Sequence, residues 1–254
     1  MGVQIQSIER AAAVLRLLTG HSRPQAPTEL ASELQLPKGT VYGILRTLQG
    51  IGFVEQDTES GKYHLGAALL PIGSSYLNGN ELRQRALGHA QALAADTGES
   101  VRIGTRHENH VLIVHHVLGP HESLQASEVG SLMPLHATAL GKALLAHDPR
   151  LAAAAYGRGL ASCTAATISD PDRLRLDLEE ISKRGWASDV GELVPWIASI
   201  AAPIQGRYET VVGAIAISGR TARVCHDGSP RPALVGCVME SARRISRDLG
   251  GHPW

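Results

Sequence analysis

The strongest constraint on the fold is a helical pattern within the segment LQLPKGTVYGILRTLQGIGFVEQD, residues 34–57. Its apolar side chains follow the i, i+3, i+4, i+7 spacing of one helix face: Val41, Ile44, Leu45 and Leu48. This spacing predicts a helix over residues 38–49, which Gly50 and Gly52 end. The side chains near its start are small or basic and lie off that face. We therefore expect the helix to present a second surface that the protein's own core does not use.

The flanking segments predict a small domain around this helix. A first helix is expected from residue 5 to 18, where Gly20 ends the apolar pattern, and a second over residues 27–34, because proline is well tolerated in a first helical turn. Two alternating segments, residues 53–56 and 62–65, are joined by a loop that ends in a glycine, which is typical of a β-hairpin. Three helices followed by a hairpin predict a winged helix-turn-helix.

In a winged helix-turn-helix the third helix enters the DNA major groove and its first turn faces the bases. The residues predicted to contact DNA are those off the apolar face, with one lysine of the hairpin: Lys38, Gly39, Thr40, Tyr42, Gly43, Arg46, Thr47 and Lys62. The two glycines permit close approach of the backbone, and Thr40 with the N–H groups of the helix start suits a phosphate. Lys38 and Arg46 can reach phosphates or guanine.

The alternative from the pattern alone is a helical bundle that caps the chain and binds no DNA. The charge distribution supports each interpretation in part. Residues 10–50 carry five basic side chains against two acidic ones, whereas residues 1–78 are balanced at six of each and the whole chain has a formal net charge of zero. Nucleic-acid-binding domains often have a basic bias.

Several separated motifs, in order, resemble one protein family. SIERAAAVLRLL, ELASELQLPKGTVYGILRTLQGIGFVEQD and KYHLG resemble the start of the isocitrate lyase regulator (IclR) family of bacterial transcription factors, and PLHATALGKALLA, IASIAAPI and VVGAIAISG resemble its effector domain. Within the family the chain is most similar to glycerol-operon regulators of actinobacteria, through YGILRTLQ and VLIVHHV. The family often has a basic residue where this chain has Tyr42-Gly43, so we expect a different operator.

The resemblance implies three parts. Residues 1–65 would form the DNA-binding domain, residues 66–79 a linker helix that helps to pair subunits, and residues 80–254 a GAF-like domain that binds an effector. A homodimer or tetramer is expected. Pro71 predicts that the linker helix either begins near that residue or bends there.

The second half predicts helices around an antiparallel sheet, and the whole chain is therefore assigned to the α+β class. Helices are expected over residues 81–96, 137–147, 171–184 and 234–249, and strands over residues 100–105, 110–117, 124–129, 197–204 and 211–218. The effector-binding residues are carried over from the family's pocket: Ala139, Leu140, Asp189, Ser199, Ala216 and Ser218. A mostly apolar cavity with a few polar groups suits a small polar metabolite.

Other clusters of reactive side chains are weaker candidates for a site. HENHVLIVHH contains four histidines, but no cysteine or carboxylate nearby completes a tetrahedral metal set. Cys225-His226-Asp227 resembles a catalytic triad only on paper, because triads are assembled from distant positions. Gly141-Lys142 lacks the glycine and the serine or threonine of a phosphate loop. We predict no catalytic residues, no metal and no cofactor.

The sequence therefore predicts a transcriptional repressor, not an enzyme, whose binding to double-stranded operator DNA is controlled by a small metabolite, with a glycerol-related compound as the first candidate. Three unpatterned cysteines favour the reducing cytoplasm, and no segment predicts a membrane span. The alternative that stays open is a small-molecule-binding enzyme or sensor module whose helical cap binds no DNA.

Overall fold

A computed structural model describes residues 5–21, 23–120 and 128–251. The chain divides into two compact units, Met1–Gly79 and Asn80–Trp254, and each is described by itself.

The first unit has the helices and the hairpin that the sequence predicts, followed by one more helix. Its elements are α1 (Gln6–Gly20), α2 (Pro27–Glu33), α3 (Lys38–Gly50), β1 (Val54–Gln56), β2 (Tyr63–Leu65) and α4 (Leu69–Gly79). The predicted apolar face of α3 supplies the centre of a small core, because Val41, Leu45 and Leu48 are buried there with Val14 of α1 and Leu30 of α2. The winged helix-turn-helix is confirmed.

The hairpin and the final helix of this unit follow from local chemistry. β1 and β2 pair antiparallel, with Val54 opposite Leu65, and the backbone of Gln25 forms an isolated bridge to Tyr63 that ties the α1–α2 loop to the hairpin. α4 begins at Leu69, so Pro71 falls in its first turn, where a proline is tolerated. None of the α4 side chains is buried, although the helix is largely apolar.

The second unit is an antiparallel sheet with helices on both faces. Its helices are α5 (Glu81–Thr97), α6 (Ala139–Leu145), α7 (Pro149–Arg158), α8 (Pro171–Arg184), α9 (Thr221–Val224) and α10 (Pro232–Asp248). Its strands are β3 (Ser100–His107), β4 (His110–Val117), β5 (Leu132–Pro134), β6 (Ala187–Val190), β7 (Ile197–Gln205), β8 (Val211–Arg220), β9 (Cys225–His226) and β10 (Ser229–Pro230). A single 3₁₀ turn, Arg207–Glu209, joins β7 to β8.

Six strands form the main sheet in the order β5-β4-β3-β8-β7-β6, with every neighbouring pair antiparallel. Ala201 and Ala216 are paired across β7 and β8 and belong to the core formed with α6, α7 and α8. Because side chains alternate along a strand, the neighbouring pair Ile200 and Ile217 takes the opposite face. The fold class is confirmed as α+β.

Local sequence explains how the helices of this unit begin. Asp170 caps α8, since its Oδ1 accepts the N–H of Arg173 at 2.8 Å. Thr138 caps α6 in the same way, with its Oγ1 accepting the N–H of Gly141 at 3.1 Å. A Cβ on Gly141 would lie 2.1 Å from the carbonyl oxygen of Leu135, so the glycine is required for close packing at this helix start.

Two expectations about elements are wrong. The helix predicted over residues 137–147 is shorter at both ends, because Thr138 caps it and the chain turns after Leu145. Residues 124–127 of the strand predicted over 124–129 lie outside the described residues, while Glu128 and Val129 belong to no strand and β5 begins at Leu132. The sequence also did not predict α7 or the four-residue strand β6.

Within the described ranges, no helix is both long enough and apolar enough to cross a membrane.

Candidate functional site: an exposed helix face and a buried cavity

The predicted DNA-binding residues of α3 lie on its outer face. Lys38, Gly39, Tyr42, Gly43, Arg46 and Thr47 are exposed and Thr40 is half-buried. Tyr42 exposes 51 % of its surface, although it is a large aromatic residue. One face of α3 is therefore held in the core by leucine and valine, and the other presents hydroxyl, guanidinium, ammonium and phenol groups to solvent.

The two glycines of this face have no structural reason within the unit. A Cβ built on Gly39 or Gly43 meets no other atom within 4 Å, and neither residue has a positive φ. A glycine inside a helix costs about 1 kcal/mol relative to alanine. The packing of the first unit therefore requires neither glycine.

Two of the side chains predicted to contact DNA have partners within the protein. The Thr47 hydroxyl donates to the carbonyl oxygen of Gly43 at 2.9 Å. Lys62 lies just before β2 and its Nζ is 3.9 Å from Glu29 Oε1, which is a weak exposed ion pair. A surface pair of this kind leaves the lysine able to exchange its partner for a phosphate.

The second unit contains a cavity of about 310 Å³, and all six residues expected to bind the effector line it. The first turn of α6 contributes Ala139 and Leu140, whereas Asp189 comes from β6 and Ser199 from β7. Ala216 and Ser218 come from β8. The structure thus brings together positions that are up to 79 residues apart in the chain.

The sheet register arranges the polar members of this group in one row. Asp189 is paired with Ser199 across β6 and β7, and Ser199 with Ser218 across β7 and β8. Directly opposed residues of antiparallel strands point to the same face. The Ser199 Oγ donates to Ser218 Oγ at 3.1 Å, so the two serines of the row are hydrogen-bonded to each other beside the apolar start of α6.

Sequence reasoning missed the remaining residues that line the cavity: Arg102, Glu128, Met133, Thr138, Leu193, Val194, Trp196 and Ile197. A signal existed for two of them. Arg102 is a charged residue between the apolar residues Val101 and Ile103, and Trp196 is one of three tryptophans in the chain. Glu128 could not have been found from local sequence, because it reaches the cavity by hydrogen bonding to Arg102 Nε from 26 positions away.

Asp189 is the electrostatically unusual group of the cavity. Its side chain is 3 % exposed, and burial raises the pKa of its carboxyl group to about 7. The Oδ1 atom accepts the N–H of Glu192 at 2.7 Å, which opposes this shift. The Glu192 carboxylate raises the pKa of Asp189 further, while the Lys142 ammonium lowers it. Near neutral pH the cavity therefore contains an acid that can either donate or accept a hydrogen bond.

The other sequence candidates do not assemble into a site. Among the described residues there is no group of three or more histidine, cysteine, aspartate or glutamate side chains that could hold a metal ion. The pairing of β3 with β4 shifts register beside Val114, so side chains do not alternate regularly along β4 from His110 to His116. Cys225 is buried, whereas His226 at the end of β9 and Asp227 in the following turn are exposed.

An exposed recognition-type helix in a winged helix-turn-helix, joined in one chain to a domain with a cavity, defines a class of protein: a DNA-binding regulator with its own ligand-binding domain. Comparison with known proteins agrees with this class. Residues 7–58 match the IclR helix-turn-helix domain, and residues 74–247 match the C-terminal domain of bacterial transcriptional regulators of the IclR type.

Full-length relatives give the same result. The chain is 50 % identical to the glycerol operon regulatory protein of Streptomyces coelicolor and 46 % identical to that of Streptomyces griseus, in each case over 98 % of both chains. It superposes on the crystal structure of an IclR transcriptional regulator from Alicyclobacillus acidocaldarius with a TM-score of 0.83 at 29 % identity, covering 96 % of this chain and 99 % of the other. The chain belongs to the IclR family; it is a DNA-binding transcriptional regulator and not an enzyme.

Replacing Asp189 with asparagine should remove a pH dependence of stability. Because the folded protein holds the Asp189 proton up to about pH 7 while the unfolded chain releases it near pH 4, the wild type loses stability as pH rises between these values, by up to about 4 kcal/mol. We expect Asp189→Asn to match the wild type at about pH 4 and to exceed it at about pH 8. Urea unfolding followed by tryptophan fluorescence measures this for the second unit alone, since Trp186, Trp196 and Trp254 all lie there.

The matched control is Asp227→Asn, which changes an acid on an exposed turn and should keep the wild-type pH profile. Parallel stability curves for the wild type and Asp189→Asn would contradict the assignment of a buried titrating acid to the cavity.

Proposed function

We propose that this protein is a homo-oligomeric repressor whose α3 helices bind an operator, and whose cavity binds a small metabolite that releases it. The observation that carries the proposal is the cavity, because all six residues expected from the family's effector pocket line it. A metabolite shifts the equilibrium between two DNA-binding states only by its difference in affinity for them. A coupling of roughly 1–3 kcal/mol would give about 5- to 150-fold control.

The identity of the metabolite is proposed from the relatives. The two Streptomyces proteins are named as glycerol operon regulators, so glycerol and glycerol 3-phosphate are the first candidates here. The size of the cavity, about 310 Å³, lies at the small end of the range for ligand sites. Hydroxyl groups of such a ligand would find the Asp189 carboxyl and the two serine hydroxyls in one row.

The proposed DNA contacts divide into positioning and reading groups. Thr40 and the N–H groups of the α3 start suit a phosphate, and Lys38 and Lys62 add phosphate contacts. Arg46 can form the paired hydrogen bonds that guanine accepts in the major groove, and Tyr42 can meet a sugar or a thymine methyl group. Gly39 and Gly43 let the helix backbone approach the duplex.

Pairing of subunits is proposed through α4. The helix exposes Leu70, Ile72 and Tyr76, and apolar surface of this kind is typical of an interface. A homodimer or tetramer would present two α3 helices to two half-sites about one helical turn of DNA apart. As a DNA-bound regulator the protein is proposed to act in the cytoplasm.

Arg46→Ala should weaken operator binding without unfolding the protein, because Arg46 is exposed on α3. We expect a loss of about 1–3 kcal/mol and, if the contact is to phosphate, a shallower dependence of log affinity on log salt by about one. Fluorescence anisotropy with the DNA upstream of its own gene, measured at several salt concentrations, gives both values. Arg173→Ala on α8 is the matched control and should bind the operator normally. Equal operator affinity of Arg46→Ala and the control would contradict the proposal that α3 contacts DNA.

Gly43→Ala should separate stability from DNA binding. The substitution adds one methyl group where there is open space, so it should stabilise the first unit by up to about 1 kcal/mol. If the backbone approaches DNA there, the same methyl group should reduce operator affinity by about tenfold or more, which is about 1.4 kcal/mol. Gly50→Ala, at the far end of α3 and equally free of neighbours, should stabilise without reducing affinity. An unchanged affinity for Gly43→Ala would show that no close approach occurs.

Asp189→Ala should abolish the response to effector while leaving operator binding intact, since Asp189 lines the cavity and lies in the second unit. Anisotropy of the operator complex is recorded while glycerol or glycerol 3-phosphate is added. We expect release from the wild type by one of the two and none from Asp189→Ala. Release from both proteins at equal concentrations would exclude Asp189 from effector binding.

A further inference from the structure

A buried lysine lies behind the cavity without lining it. Lys142 of α6 is 2 % exposed, and its Nζ donates to Asp177 Oδ2 of α8 at 2.9 Å and to Glu192 Oε1 at 2.6 Å. Lysine is almost never this buried unless it is paired, and removing one partner of a buried pair is costly. The position of Lys142 and its two partners relative to the cavity indicates their role.

Lys142 connects two walls of the cavity. The residues immediately before it in α6, Ala139 and Leu140, line one wall. Glu192 opens the segment 192–197 (the "cavity loop"), which lines another wall through Leu193, Val194, Trp196 and Ile197. The Lys142–Glu192 bond is therefore a direct side-chain connection between α6 and the cavity loop.

The backbone of the cavity loop is anchored at the same point. The hydroxyl groups of Thr164 and Thr167 donate to the carbonyl oxygen of Glu192, at 3.2 and 2.6 Å. The N–H of Glu192 donates to Asp189, which links the loop to the row of polar groups on the sheet. A single residue, Glu192, thus joins the lysine, the loop and the cavity acid.

The charges around this point are unbalanced. The Lys142 ammonium bonds to two carboxylates, those of Asp177 and Glu192, with the Asp189 carboxyl held on the backbone N–H of Glu192. Arg184 lies 4.0 Å from Asp177. On the other side of the cavity Arg102 is bonded to Glu128. The Lys142 charge lowers the pKa of both Glu192 and Asp189, against burial, which raises both.

We propose that Lys142 is a positioning residue for effector binding: through Glu192 it holds the cavity loop against α6 and beside Asp189, although it does not touch the ligand. The predicted effect of Lys142 on effector affinity rests on the proposed function. The predicted effect of Lys142 on the ionisation of Asp189 does not depend on a ligand.

Two substitutions should move the ionisation of Asp189 in opposite directions. Lys142→Met removes the cation and should shift the midpoint of the Asp189 titration upward from about 7 by about one pH unit or more. Glu192→Gln removes the anion and should shift it downward, while keeping a side-chain oxygen for Lys142 and the backbone N–H for Asp189. Lys142→Arg keeps the charge and should stay close to the wild type. A purely structural role of Lys142 would not produce shifts of opposite sign.

The primary experiment is a carbon-13 NMR titration of the full-length protein labelled at aspartate carboxyl groups, with the Asp189 signal assigned by its loss in Asp189→Asn. If Lys142→Met fails to fold, the double variant Lys142→Met with Glu192→Gln removes both charges and is compared with Glu192→Gln alone. An upward shift in either comparison supports the proposal. An unmoved midpoint overturns it.

The second arm measures binding of glycerol and of glycerol 3-phosphate by tryptophan fluorescence, for which Trp196 at the cavity is the reporter. For a probe that the wild type binds, we expect Lys142→Met to bind about tenfold more weakly near pH 7, as for a loss of about 1.4 kcal/mol. Affinity equal to the wild type would overturn the effect on binding. Failure of the wild type to bind either probe would count against the proposed effector, and the NMR midpoints would still decide whether Lys142 and Glu192 influence the ionisation of Asp189.

Discussion

The cavity depends on the hydrogen-bonded register of three neighbouring strands, β6, β7 and β8. Only in this register do Asp189, Ser199 and Ser218 form one row on the face that α6 covers. A shift of one residue would send every side chain of a strand to the opposite face and replace this row with apolar residues such as Ile200 and Ile217. The two faces of β8 differ in side-chain size, with isoleucines on one face and alanines on the other, and the polar row lies on the alanine face.

The same register explains why a carboxyl group is held in an apolar environment. Burial alone would make Asp189 costly to ionise, but a backbone N–H and the Lys142 ammonium oppose that cost, so its pKa stays near neutrality. The protonation of a carboxyl group with a pKa near neutrality can change in response to a small change in its surroundings. The first unit shows a local cost as well, since the outer face of α3 contains Gly39 and Gly43, which the packing of the unit does not require.

The elements with strong periodicity were predictable from sequence, and those defined by distant contacts were not. α3 and α8 have clear apolar faces and end signals, so their bounds agree with expectation to within one residue. β6 is four residues long, too short for a periodic signal, and the segment expected to be a strand over 124–129 has none where it is described. The strand next to β4 begins instead at Leu132, because pairing with β4 decides its place.

Some residues of the candidate site were likewise predictable from the sequence, and others were not. The six cavity residues were proposed through family resemblance, and the structure brings all six to one cavity, although their role in binding stays a prediction. Arg102, Glu128 and the cavity loop were missed because a loop carries no periodicity and an ion pair between distant residues leaves no local pattern. Lys142 was read only as part of a failed phosphate-loop motif, since its burial depends on partners 35 and 50 positions away.

The central claim is that the cavity and the α3 surface are coupled, and thermodynamic coupling is reciprocal. The most direct measurement is therefore the affinity of the wild-type protein for glycerol or glycerol 3-phosphate, by calorimetry, with and without saturating operator DNA. The account predicts that operator weakens binding of the effector by the same factor by which the effector weakens binding of the operator. Equal affinity for the small molecule in the presence and absence of operator would contradict it.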